Sequence, residues 1–182
     1  LGITGLTLSP TTSTYAAVNV YNSVGTQVGY STCYTSYTAN GGCGINLQNM
    51  AAGTYSIVVT PASGATGSFT ATLSSDATGT LTSGTAYNLN LTRAGQNGRL
   101  TFSGTTGDSV GINIAALVTN PASQTAYVTV LKPDGTYLNA VTVYTTSGGY
   151  INLASLPATG TYTVFVDPNY AVTASMQVTV DP

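Results

Sequence analysis

From residue 86 to residue 180 apolar and polar residues alternate in short runs. Leu89 and Leu91 share one face, as do Leu100 and Phe102, then Val110, Ile112 and Ile114, then Val128 and Val130, then Val164 and Val166. A period of two puts every second side chain on one side of a pleated backbone, so each run reads as a half-buried strand. The pattern predicts strands over 86–93, 99–103, 109–116, 125–131, 136–144, 150–153, 161–167 and 175–180. Asn97-Gly98, Pro133-Asp134-Gly135, Ser147-Gly148-Gly149 and Asp167-Pro168 lie between them and carry the residues that tight turns require. No segment has a helical period, so strands this short and this closely spaced predict an antiparallel sandwich, immunoglobulin-like or jelly-roll-like.

The same pattern occurs earlier in the chain. Ala17-Val18-Asn19-Val20 with Gly25-Thr26 aligns with Tyr127-Val128-Thr129-Val130 and Gly135-Thr136 at an offset of 110. Ile45-Asn46-Leu47 then matches Ile151-Asn152-Leu153, Gly53-Thr54-Tyr55 matches Gly160-Thr161-Tyr162, and Leu1-Gly2-Ile3 matches Val110-Gly111-Ile112. Two copies of one unit follow from this self-similarity. The expected architecture is all-β, with two tandem antiparallel β-sandwiches: residues 1–75, truncated at the start, and residues 76–182, complete. The strands around Leu89, Leu91, Leu100 and Phe102 have no counterpart in the first copy. A sandwich without its opening hairpin leaves unpaired edges and bare apolar faces, a situation that favours pairing with another chain. Three solutions are open: a window cut from a longer array, a smaller self-sufficient first domain, or strands supplied by another subunit. Strand exchange by this chain would use the segment holding Leu89, Leu91, Leu100 and Phe102.

Charge narrows the function. The 182 residues include 3 Lys+Arg, 5 Asp+Glu and no His, so 4% are charged, against about 25% in ordinary soluble domains. Arg93, Arg99 and Lys132 are too scattered to form the basic stripe that nucleic acid requires, so no nucleic-acid partner is expected. No run approaches the ~18 consecutive apolar residues of a membrane helix. The chain begins without Met and without a signal-peptide pattern, and reads as processed or as an excerpt. Hydrolytic catalysis needs a tunable base or paired acids, but His is absent and Asp76, Asp108, Asp134, Asp167 and Asp181 lie far apart, so no enzyme and no cofactor is expected. Asp134 and Asp167 read as turn caps. Calcium would want clustered carboxylates and zinc four Cys or His ligands, and neither set is present in the sequence.

Cys33 and Cys43 flank a polar, turn-rich segment, and a disulfide closing it implies an oxidising compartment; free thiols are the alternative. Tyr30, Tyr34 and Tyr37 surround this loop and are candidate partner contacts, for a subunit or for a glycan, because exposed rings stack on sugars and bury in interfaces. Asn90-Leu91-Thr92 fits a glycosylation acceptor within a strand.

The succession Arg93-Ala94-Gly95-Gln96-Asn97-Gly98-Arg99-Leu100-Thr101-Phe102-Ser103-Gly104-Thr105, then Pro133-Asp134-Gly135, then Leu156-Pro157-Ala158-Thr159-Gly160-Thr161-Tyr162 resembles the β-sandwich repeats of large bacterial secreted and surface proteins. It is similar to the bacterial pre-peptidase C-terminal domain. The resemblance implies an extracellular accessory or spacer module. The calcium role of collagenase relatives does not carry over, because the acidic cluster is missing. The leading expectation is a structural subunit or tandem segment of an extracellular filament or cell-surface array, whose partners are copies of itself or adjacent repeats. The alternative is an adhesin or a carbohydrate- or matrix-binding module.

Overall fold

A computed structural model describes residues 1–36 and 41–181. The first half contains β1 (Gly2–Ser9), β2 (Tyr15–Tyr21), β3 (Gln27–Tyr34), β4 (Gly42–Gly44), β5 (Ser56–Pro61) and β6 (Thr66–Thr72), in the order β5-β2-β3-β4-β1-β6. The second half contains β7 (Ala77–Thr80), β8 (Tyr87–Leu91), β9 (Gly98–Gly104), β10 (Val110–Asn120), β11 (Ala126–Leu131), β12 (Tyr137–Val143), β13 (Gly149–Leu153), β14 (Gly160–Pro168) and β15 (Thr173–Asp181). These form a four-stranded sheet, β13-β10-β15-β8, and a five-stranded sheet, β12-β11-β14-β9-β7. The fold is all-β and sandwich-like, as the alternation predicts.

Every strand expected between residues 86 and 180 is present, with small shifts of boundary; β10 runs on to Asn120. β7 is an addition, and it pairs parallel to β9 within an otherwise antiparallel arrangement. Its sequence, Ala77-Thr78-Gly79-Thr80, holds no large apolar residue and so gives no period-two signal.

Pairing in the two halves follows one scheme. β1 lies between β4 and β6 as β10 lies between β13 and β15, and β2 between β3 and β5 as β11 between β12 and β14. Registers agree closely: Ile3 faces Ala71 as Ile112 faces Val180, and Val18 faces Val59 as Val128 faces Val166. Even the turns correspond. The β2–β3 turn is held by Asn22 Oδ1, which accepts the amides of Val24 and Thr26, and the β11–β12 turn by Asp134 Oδ1, which accepts the Thr136 amide. Both turns place glycine in the left-handed region, Gly25 at φ 82° and Gly135 at φ 81°, where a Cβ is disfavoured. Asp134 is therefore a turn cap, as expected.

The halves differ at two places. At the seam, Tyr34 pairs with Gly42 as Tyr144 bridges Gly148, but only the first half ties that seam with a disulfide, Cys33–Cys43. More important, among the described residues nothing in the first half corresponds to β7, β8 or β9.

Candidate functional site

The missing strands leave a cleft. Among the described residues β5 pairs only with β2, and β6 only with β1, so both are sheet edges. In the second half β9 covers the corresponding side of β14, and β8 that of β15. Directly opposed residues of antiparallel strands share a face, so the inward positions of β5 and β6 can be named. Val59 faces buried Val18, which places Tyr55, Ile57 and Val59 on the interior side. Ala71 and Gly67 face buried Ile3 and Leu8, which places Phe69 between them on the same side.

Exposure at these inward positions measures the gap. Ile57 is 44% exposed where its counterpart Val164 is fully buried. Phe69 is 41% exposed where Met176 is 3% exposed. The buried cluster of the first half is built from Leu1, β1–β4 and Ile45, with no member from β5 or β6, whereas that of the second half takes Tyr162, Val164 and Val166 from β14 and four residues from β15. A cleft of about 840 Å³ opens beside β5, walled by Leu1, Val20, Ile45, Leu47, Tyr55 and Ile57 and bounded by Arg99 of the second half, with no residue of β6 in its lining.

One end of the cleft is the junction between the halves, and it is held by directed polar contacts. Arg93 Nη2 donates to the Leu73 carbonyl at 2.9 Å, Gln96 Nε2 to Ser75 at 3.1 Å, and the Ala77 amide to Asn97 at 2.8 Å, so residues 73–77 are laced to the β8–β9 turn. Asn46, just after β4, joins both halves: its Nδ2 donates to Asp167 Oδ2 at 2.6 Å, and its Oδ1 accepts from Asn97 Nδ2 at 2.9 Å. Asp167 thus bridges the halves, where its place beside Pro168 had suggested a turn cap. Burial pushes its carboxyl above the usual range, and the Asn46 hydrogen bond pulls the other way. Gly2 and Gly95 meet back to back, and a Cβ on Gly2 would lie 2.5 Å from the Ala94 carbonyl carbon, so the approach requires glycine.

The three cations are all used in the scaffold. Arg93 ties the linker, Arg99 pairs with Asp76 at 3.0 Å and lies 4.8 Å over the Phe165 ring, and Lys132 is 3.9 Å from Asp134. Asp108 accepts the Thr105 amide at 2.8 Å. Among the described residues no three His, Cys, Asp or Glu gather in a way that could hold a metal, and no helix is long and apolar enough to cross a membrane.

Cys33 and Cys43 form the disulfide expected of them, which fits an extracellular or periplasmic compartment. Tyr30 and Tyr34 lie on the outer side of β3: Tyr30 is 57% exposed with its hydroxyl 2.8 Å from Thr32 Oγ1, and the Tyr34 ring packs 5.8 Å from that of Tyr15. Tyr37 falls outside the described residues. Leu89, Leu91, Leu100 and Phe102 are all buried in the second half's own interior, paired with β15 and β14.

The chain matches no described protein family and no curated protein. Among solved structures it is similar to PliG of Aeromonas hydrophila, a periplasmic inhibitor of g-type lysozyme, with 18% identity, 58% of this chain and 99% of that chain covered, and a TM-score of 0.38. It is also similar to the pre-peptidase C-terminal domain of a Bacillus anthracis collagenase, with 13% identity, 58% and 94% covered, and a TM-score of 0.40. Both likenesses are structural, at low identity, and the second is to the domain type that the motifs resemble.

Proposed function

We propose that this chain is a non-catalytic structural module of an extracellular filament or cell-surface array, in which sandwiches stack end to end and open edges are completed by neighbouring polypeptide. The observation that carries this reading is the bare interior side of β5 and β6, where Ile57 and Phe69 stand 44% and 41% exposed. Edges of this kind template pairing with another strand unless charge or a bulge guards them. β5 and β6 contain no charged residue. The laced junction supports stacking, since it fixes one sandwich on the next without a flexible linker. Scarce charge supports association too, because repulsion between copies is weak.

Negative-stain microscopy with light scattering on the purified protein tests this. Rods or filaments that lengthen with concentration are expected. Discrete 18.4 kDa particles at every concentration would contradict it, and such particles retaining a glycan would favour an adhesin acting through the outer tyrosines.

A further inference from the structure

The cleft of the first sandwich has a shape that the second sandwich specifies. We infer that it is a receptor for one kind of occupant: a β-hairpin of the type formed here by residues 87–104, carried by polypeptide other than residues 1–182. The inference rests on the assembly reading above and names the partner that reading leaves open.

Stoichiometry excludes copies of these 182 residues as the donor of this hairpin; end-to-end stacking of copies needs no donated strand and is a separate contact. Among the described residues each copy has a single β8–β9 hairpin for its two halves, and that hairpin is buried at home, with Leu89, Leu91, Leu100 and Phe102 at 2%, 1%, 0% and 3% exposure. Exchanging it between copies would close one sandwich by opening another. The occupant therefore has the chemistry of this hairpin but a separate origin.

The register follows from the second half. Leu100 faces Val164 and Phe102 faces Tyr162 across β9 and β14, so the incoming second strand would lay a Leu opposite Ile57 and a Phe opposite Tyr55. Phe102 stacks on Tyr162 with ring centroids 5.2 Å apart. The Tyr162 hydroxyl is tied to the Ala158 carbonyl at 2.5 Å, and the Tyr55 hydroxyl is already tied to Ala51 in the same way at 2.6 Å. Tyr55 is thus held for a ring that is absent. On the other sheet Leu89 faces Met176 and Leu91 faces Ala174, so the incoming first strand would add to β6 with one Leu over Phe69 and the next over Gly67. A Cβ on Gly67 would lie 2.3 Å from the Thr7 carbonyl oxygen and 2.7 Å from Leu8 Cδ2, so the close approach of β1 and β6 requires glycine here. Recognition is by main-chain pairing along both edges, with specificity from the Leu-x-Leu and Leu-x-Phe spacing.

The test is a fusion in which a second copy of residues 76–109 is placed directly before Leu1 of the full chain, reproducing the connection into Val110. Hydrogen exchange at β5 and β6 amides is expected to slow by about 100-fold relative to the unfused chain, a shift from edge-like to core-like protection. A fusion carrying Leu89→Asp and Leu100→Asp in the added copy alone should give no slowing. Because that control leaves the native second sandwich intact, misfolding of the original chain does not confound it. A labelled peptide of residues 81–104 added in trans should bind the unfused chain and fail on Ile57→Asp, Phe69→Asp protein. Unchanged exchange in the fusion, or equal protection from the Asp-bearing copy, overturns the inference. If the fusion stays open while the unfused chain still forms filaments, the hairpin inference fails and the array reading stands. If the fusion closes yet nothing assembles, the reverse holds.

Discussion

Val164 and Ile57 occupy corresponding places in two halves that share one pairing scheme, yet the first is sealed and the second is nearly half open to water. The strands that carry them pair with the same neighbours in the same register. What differs is the next strand out: β14 is followed by β9, and β5, among the described residues, by none. A strand's apolar face is sealed by the neighbouring strands and the opposing sheet that cover it, so the interior of a sandwich belongs to the set of strands and not to any one of them. The first half keeps ten buried apolar residues in its cluster. The second, with three more strands, keeps twenty-three.

Truncating equivalent residues gives the sharpest contrast. Met176→Ala should cost about 2–5 kcal/mol in denaturant unfolding, since it empties a filled interior. Phe69→Ala at the corresponding place should cost under about 1 kcal/mol in the unassembled chain, because much of the ring is already solvated. Equal costs would mean that the cleft is closed in solution. The seam comes next. Replacing Cys33 and Cys43 with Ser should lower the stability of the first half by about 2–3 kcal/mol, from the entropy of the short loop they close, and leave the second half unchanged. Loss of stability in both halves would show that they unfold as one unit.

The smallest effect concerns pH and separates the junction from the turns. The Asp167 carboxyl titrates above its ordinary value because it is buried. Its contribution to folding is complete below the unfolded-state pKa and is lost as pH rises through the folded-state one. Asp134 is the opposite case: the Thr136 hydroxyl and amide lower its pKa, so its contribution is present above the ordinary value and lost as pH falls. Melting curves of Asp167→Asn should gain on the parent as pH rises from 4 to 7, on the order of the titration range of a carboxylate, while Asp134→Asn should lose on it. A gain for both would remove burial as the cause at Asp167.

The strand plan could be read from the sequence because a period of two survives in Leu89/Leu91, Leu100/Phe102 and Val164/Val166. The open edges were legible for the same reason, because the runs holding Leu89/Leu91 and Leu100/Phe102 have no match in residues 1–75. β7 was not, since Ala77, Thr78, Gly79 and Thr80 offer no apolar side chain to mark a face. The junction was also hidden. Asn46 and Asp167 meet across 121 residues, and a polar pair at that distance leaves no periodic trace. Beside Pro168, Asp167 read as a local cap, when its actual partner lies on the other half.

Hydrogen exchange of the unassembled chain, resolved strand by strand, tests the central claim most directly. The account predicts fast exchange for the outward amides of β5 and β6 and slow exchange for those of β14 and β15 in the same sample. Protection of β5 and β6 equal to that of β14 and β15, in a protein shown to be monomeric, would contradict it.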